Sequence, residues 1–383
     1  EGGDTLITEG FDTLVSEQNL TSAAPYEIGS PYLAAELEEI QVAQTADVMY
    51  IVHPNHPPRT LIRTAHTEWT FSELDFTNGP FLGYNVSDTT ITASGQTGSV
   101  TLTASANLFD AGHVDALFLL EESTSDDYDM WEPDKSFALN DKARWANNVY
   151  LCVTAGTSGA VAPVHLEGER WDGQESGSAR WQFLHSGFGV VVITAVASAT
   201  SATATVLKRL PEAIGSGTVN WREGAWSAYQ GWPRALTLFE QRAWFASTNL
   251  APQTLWSSVS GNLADFTPGT LADDAIDFTV NTRRANPISA LVDASNLLVL
   301  CEDREMVGRP SNNSAAVAPD DFTVRPATSY GSSSVAPLTV DTAVIFVDQT
   351  GRRMIELVYD VAEDNYVPFD LTVYAEHITR PGQ

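Results

Sequence analysis

Short apolar runs alternating with polar residues recur along this chain as triplets. They occupy 40–44, 48–52 and 60–64; 236–239, 243–246 and 253–257; 288–292, 297–300 and 304–308; and 338–340, 344–347 and 352–356. Each triplet reads as an apolar strand, a polar turn, a second strand, a loop and a third strand. Period-two alternation over four to eight residues is the mark of a strand. The second runs begin at 48, 243, 297 and 344, so the copies are 195, 54 and 47 residues apart. A period near fifty residues with three or four antiparallel strands per unit predicts propeller blades. The 195-residue step equals one repeat plus roughly 140 residues of guest sequence. The expected fold is therefore all-β: β-propeller-like repeats of three- to four-stranded antiparallel blades, with an inserted small β-sandwich or barrel domain.

The texture of the chain suggests four segments. Residues 1–30 are polar and read as an N-terminal arm or partial blade, and 31–84 form the first propeller segment. Residues 85–226 are the inserted β-rich domain, and 227–383 supply the remaining blades. In the first segment, Ser30-Pro31 is positioned to cap a short helix over 33–39, where Leu33, Leu37 and Ile40 share a helical face. Within the insert, 89–92 and 99–103 flank a Gly/Ser turn, 116–120 and 149–154 are strand-like, and 189–196 with 202–207 make a β-branched hairpin. The repeat is sharpest between the first two copies. Pro58-Arg59-Thr60-Leu61 is echoed by Pro252-Gln253-Thr254-Leu255, and Leu74-Asp75-Phe76-Thr77-Asn78-Gly79 by Ala264-Asp265-Phe266-Thr267-Pro268-Gly269. The second pair reads as a blade closure, with Phe in the core, Asp and Thr capping backbone donors and Gly permitting the turn.

Composition narrows the function classes. Forty-nine acidic residues against twenty basic ones give a net charge of −29, and the only lysines are Lys135, Lys142 and Lys208. Affinity for nucleic acid rests on Lys and Arg neutralising phosphates, so sequence-specific DNA binding is not expected. An acidic wall does suit a conduit through which DNA slides without sticking, and it equally suits a salt-tolerant solvated surface. No run of eighteen apolar residues is present, so no transmembrane helix is expected. The opening Glu1-Gly2-Gly3-Asp4 lacks an initiator methionine and the features of a secretion signal, which suggests a piece of a longer product. Cys152 and Cys301 each lie within an apolar run and read as buried thiols.

Candidate chemistry is sparse. The stretch Asp126-Asp127-Tyr128-Asp129-Met130-Trp131-Glu132-Pro133-Asp134, within the acidic loop 121–134, could supply oxygen ligands to calcium but lacks the spacing and glycine of a calcium-hand loop. Asp273, Asp274 and Asp277 make a weaker acidic group, where a turn is expected to precede a strand over 276–280. His53-Pro54-Asn55-His56 places two imidazoles three apart, with no third ligand nearby in sequence to complete a zinc set. No Gly-x-Ser-x-Gly elbow holds a nucleophile, and no carboxylate pair sits in a recognisable glycosidase setting. Trp171, Trp181, Trp221, Trp226, Trp232, Trp244 and Trp256 could stack on sugars, but their alternation favours core packing. No catalytic, cofactor-binding or metal-ligating residue is assigned.

Gly231-Trp232-Pro233-Arg234-Ala235-Leu236-Thr237-Leu238-Phe239-Glu240-Gln241-Arg242-Ala243-Trp244-Phe245-Ala246, with Ala251 to Ser257 and Asp265-Phe266, resembles the tail-nozzle proteins of short-tailed phages. These are also called tail tubular protein B or tail stabilisation proteins. Ala43 to Tyr50 with His53-Pro54, Gly156 to Gly159 with Ala162-Pro163, and Asp370 to Thr372 with Ala375-Glu376-His377 are similar to the same family. The resemblance spans most of 31–378. It implies a non-enzymatic structural protein of the virion tail, built on a β-propeller with inserted domains. Such a protein forms a homo-hexameric ring below the tail adaptor, extends the DNA-ejection channel for passive passage of viral DNA, and offers docking surfaces for tail fibres or spikes. Family members begin earlier and run further than this chain. No cofactor and no catalytic residue is carried over. A host-glycan-binding tail module and an envelope hydrolase are the alternative readings.

Overall fold

The computed structural model describes residues 27–374 apart from 77, 123–127, 174–176, 270, 282–284, 312–315 and 363, together with a backbone hairpin pairing Leu6–Glu9 with Thr13–Ser16. The structure is all-β, and the helices among the described residues are three short 3-10 turns at Ala34–Glu39, Ala111–His113 and Glu212–Ser216. None is long and apolar enough to cross a membrane. The first of them falls where a short helix was expected, but its cap differs. Ser30 Oγ accepts from the Tyr32 N–H, whereas the N-cap position is Leu33, whose N–H donates to the Glu36 carboxylate at 2.8 Å.

Four four-stranded antiparallel meanders make up the propeller-like part. Blade I comprises Gln41–Thr45, Val48–His53, His56–Ala65 and Glu68–Glu73. Blade II comprises Ala235–Phe239, Arg242–Ala246, Thr254–Ser257 and Ile276–Thr279. Blade III comprises Ile288–Asp293, Leu297–Cys301, Glu305–Pro310 and Phe322–Thr328, and blade IV Leu338–Val340, Ala343–Val347, Met354–Asp360 and Asn365–Asp370. Tight turns between first and second strands use left-handed backbone at Ala46 (φ 49), Glu240 (φ 49) with Gln241 (φ 59), and Asp341 (φ 55). Turns of this hand match the twist of the strands they join.

Alternation along each strand then sends side chains to both neighbours. In blade III, Leu297, Val299 and Cys301 face blade II, where they meet Trp244, Leu255 and Ile276. The intervening Leu298 and Leu300 face Val344, Phe346 and Leu357 of blade IV. Blades I and II share a third core, with Val52 against Leu236, Phe245 and Trp256. Leu297–Cys301 and Arg242–Ala246 are consequently buried at every position. The two end blades differ. Leu338 and Val340 on the first strand of blade IV are 62% and 49% exposed, and Val42 on that of blade I is 52% exposed. Both cysteines are buried and free, and burial pushes the Cys301 thiol up to about 12.

The two echoed Asp-Phe motifs meet in space. Phe76 and Phe266 stack edge-on at 5.6 Å, each also against Trp226. Asp265 accepts from the N–H and hydroxyl of Thr267, and Asn78 Nδ2 donates to that hydroxyl at 2.9 Å. In blade I the motif follows the fourth strand, as a closure should. In blade II it precedes the fourth strand, so what the two copies share is their place in the core between the blades.

The residues between blades I and II form two nested modules. A six-stranded sheet runs in the order Trp221–Glu223, Leu117–Glu121, Phe188–Ser198, Ser201–Lys208, Ser99–Ala104, Ile91–Ala93. A backbone bridge between Ile91 and Thr218 joins its edges, curling it around Leu102, Phe118, Leu120, Ile193 and Ile214 as a small barrel. A second, five-stranded sheet is spliced into the barrel's Leu117–Glu121 to Phe188–Ser198 connection, with Asp129–Met130, Lys142–Trp145, Asn148–Thr154, Arg180–His185 and Glu169–Trp171 side by side. Its core includes Trp131, Tyr150 and Trp181. Asp172, 5% exposed, accepts from Trp131 Nε1 at 3.0 Å and from Trp181 Nε1 at 2.7 Å. Arg222 couples the barrel to the blades: its Nε donates to the Leu82 carbonyl at 2.6 Å and its Nη2 to Asp277 of blade II at 2.5 Å.

Two outcomes follow from this packing. Asp172→Ala leaves two buried indole N–H groups without an acceptor and is expected to destabilise the nested sheet by about 2–5 kcal/mol, read by urea unfolding with tryptophan fluorescence; Asp172→Asn, which keeps an acceptor, should lose less. His185 is buried, and burial, aided by Arg209 and Lys142, lowers its pKa from 6.5 to about 4. Between those values the unfolded chain binds a proton that the folded chain refuses, so stability falls as pH drops from about 6.5 towards about 4. Replacing His185 with Asn should flatten that slope by up to about 3 kcal/mol, measured as the difference in unfolding free energy between the two ends of the window.

Candidate functional site

The ends of all four blades converge on a polar cleft of about 380 Å³. Blade I contributes Gln41 and Pro54 to its wall, blade II contributes Arg234, blade III Ser289 and Glu302, and the segments entering and turning blade IV contribute Ser333 and Gln349. Gln41 Nε2 donates to the Ser289 carbonyl at 2.6 Å, a direct tie between blades I and III, which share no apolar core. Glu39 and Glu302 oppose the one cation, Arg234, among the lining residues.

At the rim of this cleft the 3-10 turn Ala34–Glu39 lies against the hairpin bend of blade I. The turn presents Glu36 and Glu39; the bend presents His53 and His56. His56 Nε2 lies 3.0 Å from Glu36 Oε2, and His53 Nε2 lies 3.6 Å from Glu39 Oε2. One ligand atom from each of Glu36, His53 and His56 falls within 4.8 Å of the others, close enough for the three to share a metal ion. His53 is fully buried, its Nδ1 accepts from the Asn55 N–H at 3.1 Å, and its Nε2 makes no hydrogen bond. Tyr32 packs edge-on against the His56 ring at 5.1 Å, and its buried hydroxyl also has no partner. Burial lowers the pKa of His53 and raises that of Tyr32, while the Leu33 N–H and then His56 hold Glu36 below the usual carboxylate range.

Sequence spacing found His53 and His56 but no further ligand. The missing carboxylates lie 17 and 14 residues before His53 and reach it because the chain doubles back through the turn into the first strand. The trace it left in the sequence is a matched spacing, Glu36 and Glu39 three apart on the turn and His53 and His56 three apart on the bend.

The acidic stretches behave otherwise. Asp126 and Asp127 lie outside the described residues; of the rest, Asp129 pairs with Lys135 at 3.2 Å and Glu121 accepts from the Tyr84 hydroxyl at 2.7 Å. Asp274 caps a turn by accepting from the Leu271 N–H, and Asp277 pairs with Arg222. Trp181, Trp221, Trp226, Trp244 and Trp256 are buried in the cores and half-buried Trp232 packs against one, while half-buried Trp171 lies outside them with the Arg180 guanidinium 5.7 Å from its ring.

No family model matches the chain, and no curated protein matches it. Among solved structures, a protein from Lactobacillus plantarum matches over 85% of this chain and 92% of its own, with 12% sequence identity and a TM-score of 0.26. At that score the likeness bears on neither site nor activity.

Proposed function

We propose that the chain is a structural component of a phage tail nozzle, in which blades and inserted modules build a ring that extends the DNA-ejection channel. The observation that carries this reading is the open arc of blades. Three apolar cores join I to II, II to III and III to IV, while among the described residues no such core joins IV to I. The first strands of the end blades keep Val42, Leu338 and Val340 exposed where the corresponding strands of blades II and III are buried. Apolar strand faces left at both ends of an arc suit a subunit whose neighbours complete the packing. The sequence resemblance names the family of assembly, with copies of itself, a tail adaptor and fibres or spikes as partners. A net charge of −29 suits a wall that viral DNA passes without binding.

The experiment is a mass measurement of the purified chain across concentration, by sedimentation or native mass spectrometry, followed by electron microscopy of any assembled species. Rings of about six copies are expected, together with no retention of double-stranded DNA at low salt. A chain that stays monomeric at every concentration overturns the reading. A monomer whose melting temperature rises with added oligosaccharide would instead point to a glycan-binding tail module.

A further inference from the structure

We infer that Glu36, His53 and His56 form a binding site for a zinc-class divalent metal ion, with Glu39 placed to complete it. Four observations converge. The three ligand atoms share one small volume, within 4.8 Å of one another. Ligands about 2.0–2.1 Å from a tetrahedral zinc lie about 3.3 Å from each other; the His56–Glu36 separation within the set is 3.0 Å, and Glu39, outside the set, lies 3.6 Å from His53. His53, with no exposed surface, aims an Nε2 without a hydrogen bond into the cluster, and the Tyr32 hydroxyl beside it is buried and equally without a partner. Twelve buried side-chain atoms among the described residues lack a hydrogen-bond partner, and His53 is the one residue among them that belongs to the ligand set.

The donor set selects the ion. Two imidazoles and one or two carboxylates suit zinc, cobalt or nickel, whereas calcium and magnesium require an all-oxygen shell. Glu36 is already oriented by the Leu33 N–H, so the carboxylate is held for its ligand by the chain that carries it. Glu39, with its side chain 54% exposed, has room to swing onto the ion as a fourth ligand and would bring the site to electrical neutrality.

The proton balance is closed within the site. The Asn55 N–H donates to His53 Nδ1, so the neutral ring carries its proton on Nε2. Metal capture at Nε2 moves that proton to Nδ1 and releases the Asn55 contact, a single part-buried hydrogen bond at the bend. At His56 the proton shared with Glu36 likewise leaves Nε2 for Nδ1, and any ring protonated beforehand gives its extra proton to solvent. The bound ion would clamp the Ala34–Glu39 turn to blade I beside the cleft that Glu39 and Pro54 line. The site is independent of the nozzle assignment.

The test uses the whole chain, stripped with EDTA and titrated with cobalt chloride and then zinc chloride. Cobalt is expected to bind once per chain, with the visible absorption bands of four-coordinate cobalt, and zinc to displace it and raise the melting temperature. Magnesium and calcium chloride should do neither. His56→Ala, at a half-buried ring whose loss is tolerable for folding, should weaken cobalt binding at least about 100-fold and abolish the bands, with the β-sheet circular dichroism retained. Glu36→Gln should act in the same direction. Failure to saturate the wild-type chain below about 100 μM cobalt, where chance surface sites begin to compete, overturns the proposal. So does binding that His56→Ala leaves unchanged. The zinc-dependent melting shift of the unaltered chain decides the matter if a variant does not fold.

Discussion

An antiparallel meander with apolar side chains on both faces cannot cover either by itself, and this constraint governs the molecule. Strand Leu297–Cys301 displays it most plainly: odd positions enter the core shared with blade II, even positions the core shared with blade IV. A polar residue at any of the five would enter one of the two cores. Blades II and III satisfy the constraint because they have neighbours on each side. Blades I and IV satisfy it on one side only, which is why Val42, Leu338 and Val340 face solvent in the isolated chain.

A scaffold stabilised blade by blade accepts insertions where chain leaves one blade for the next. The guest here is self-sufficient: its six-stranded sheet closes through the Ile91–Thr218 bridge and buries its own apolar face. The same logic repeats one level down, where a loop of the barrel carries a five-stranded sheet with a separate core centred on Trp181. Coupling between levels falls to buried polar groups. Arg222 reaches the Leu82 carbonyl and Asp277, and Glu223 on the same strand, held within the barrel by His113 at 2.9 Å, accepts from Gln230 Nε2 at 2.8 Å on the way to blade II. Charged hydrogen bonds of this kind fix orientation as much as they add stability.

Acidity and chemistry prove to be separate matters. Of the described carboxylates singled out by their clustering, Asp129 and Asp277 each pair with a single cation and Asp274 caps a turn. The cluster with the character of a ligand set lies elsewhere, where two histidines and two glutamates meet beside the junction of the blades.

Hydrophobic periodicity by itself determined the strand-rich class, the four repeats and the first three strands of each blade, because most of those strands carry apolar residues, whether buried as in blades II and III or left exposed on the first strands of blades I and IV. It also placed six of the seven tryptophans against the cores, Trp171 being the exception. Of the fourth strands only that of blade II, Ile276–Thr279, was legible; Glu68–Glu73 and Asn365–Asp370 run along the outside with largely exposed or half-exposed side chains, which leaves little apolar pattern to read. The nesting of one guest within another was likewise illegible, since strand order is set by which edges meet and not by local preference. Only tertiary structure could bring Glu36 and Glu39 to His53 and His56, or Asn78 to Thr267 across 189 residues. Periodicity reports which way a side chain points, whereas a site depends on which distant side chains arrive at the same point.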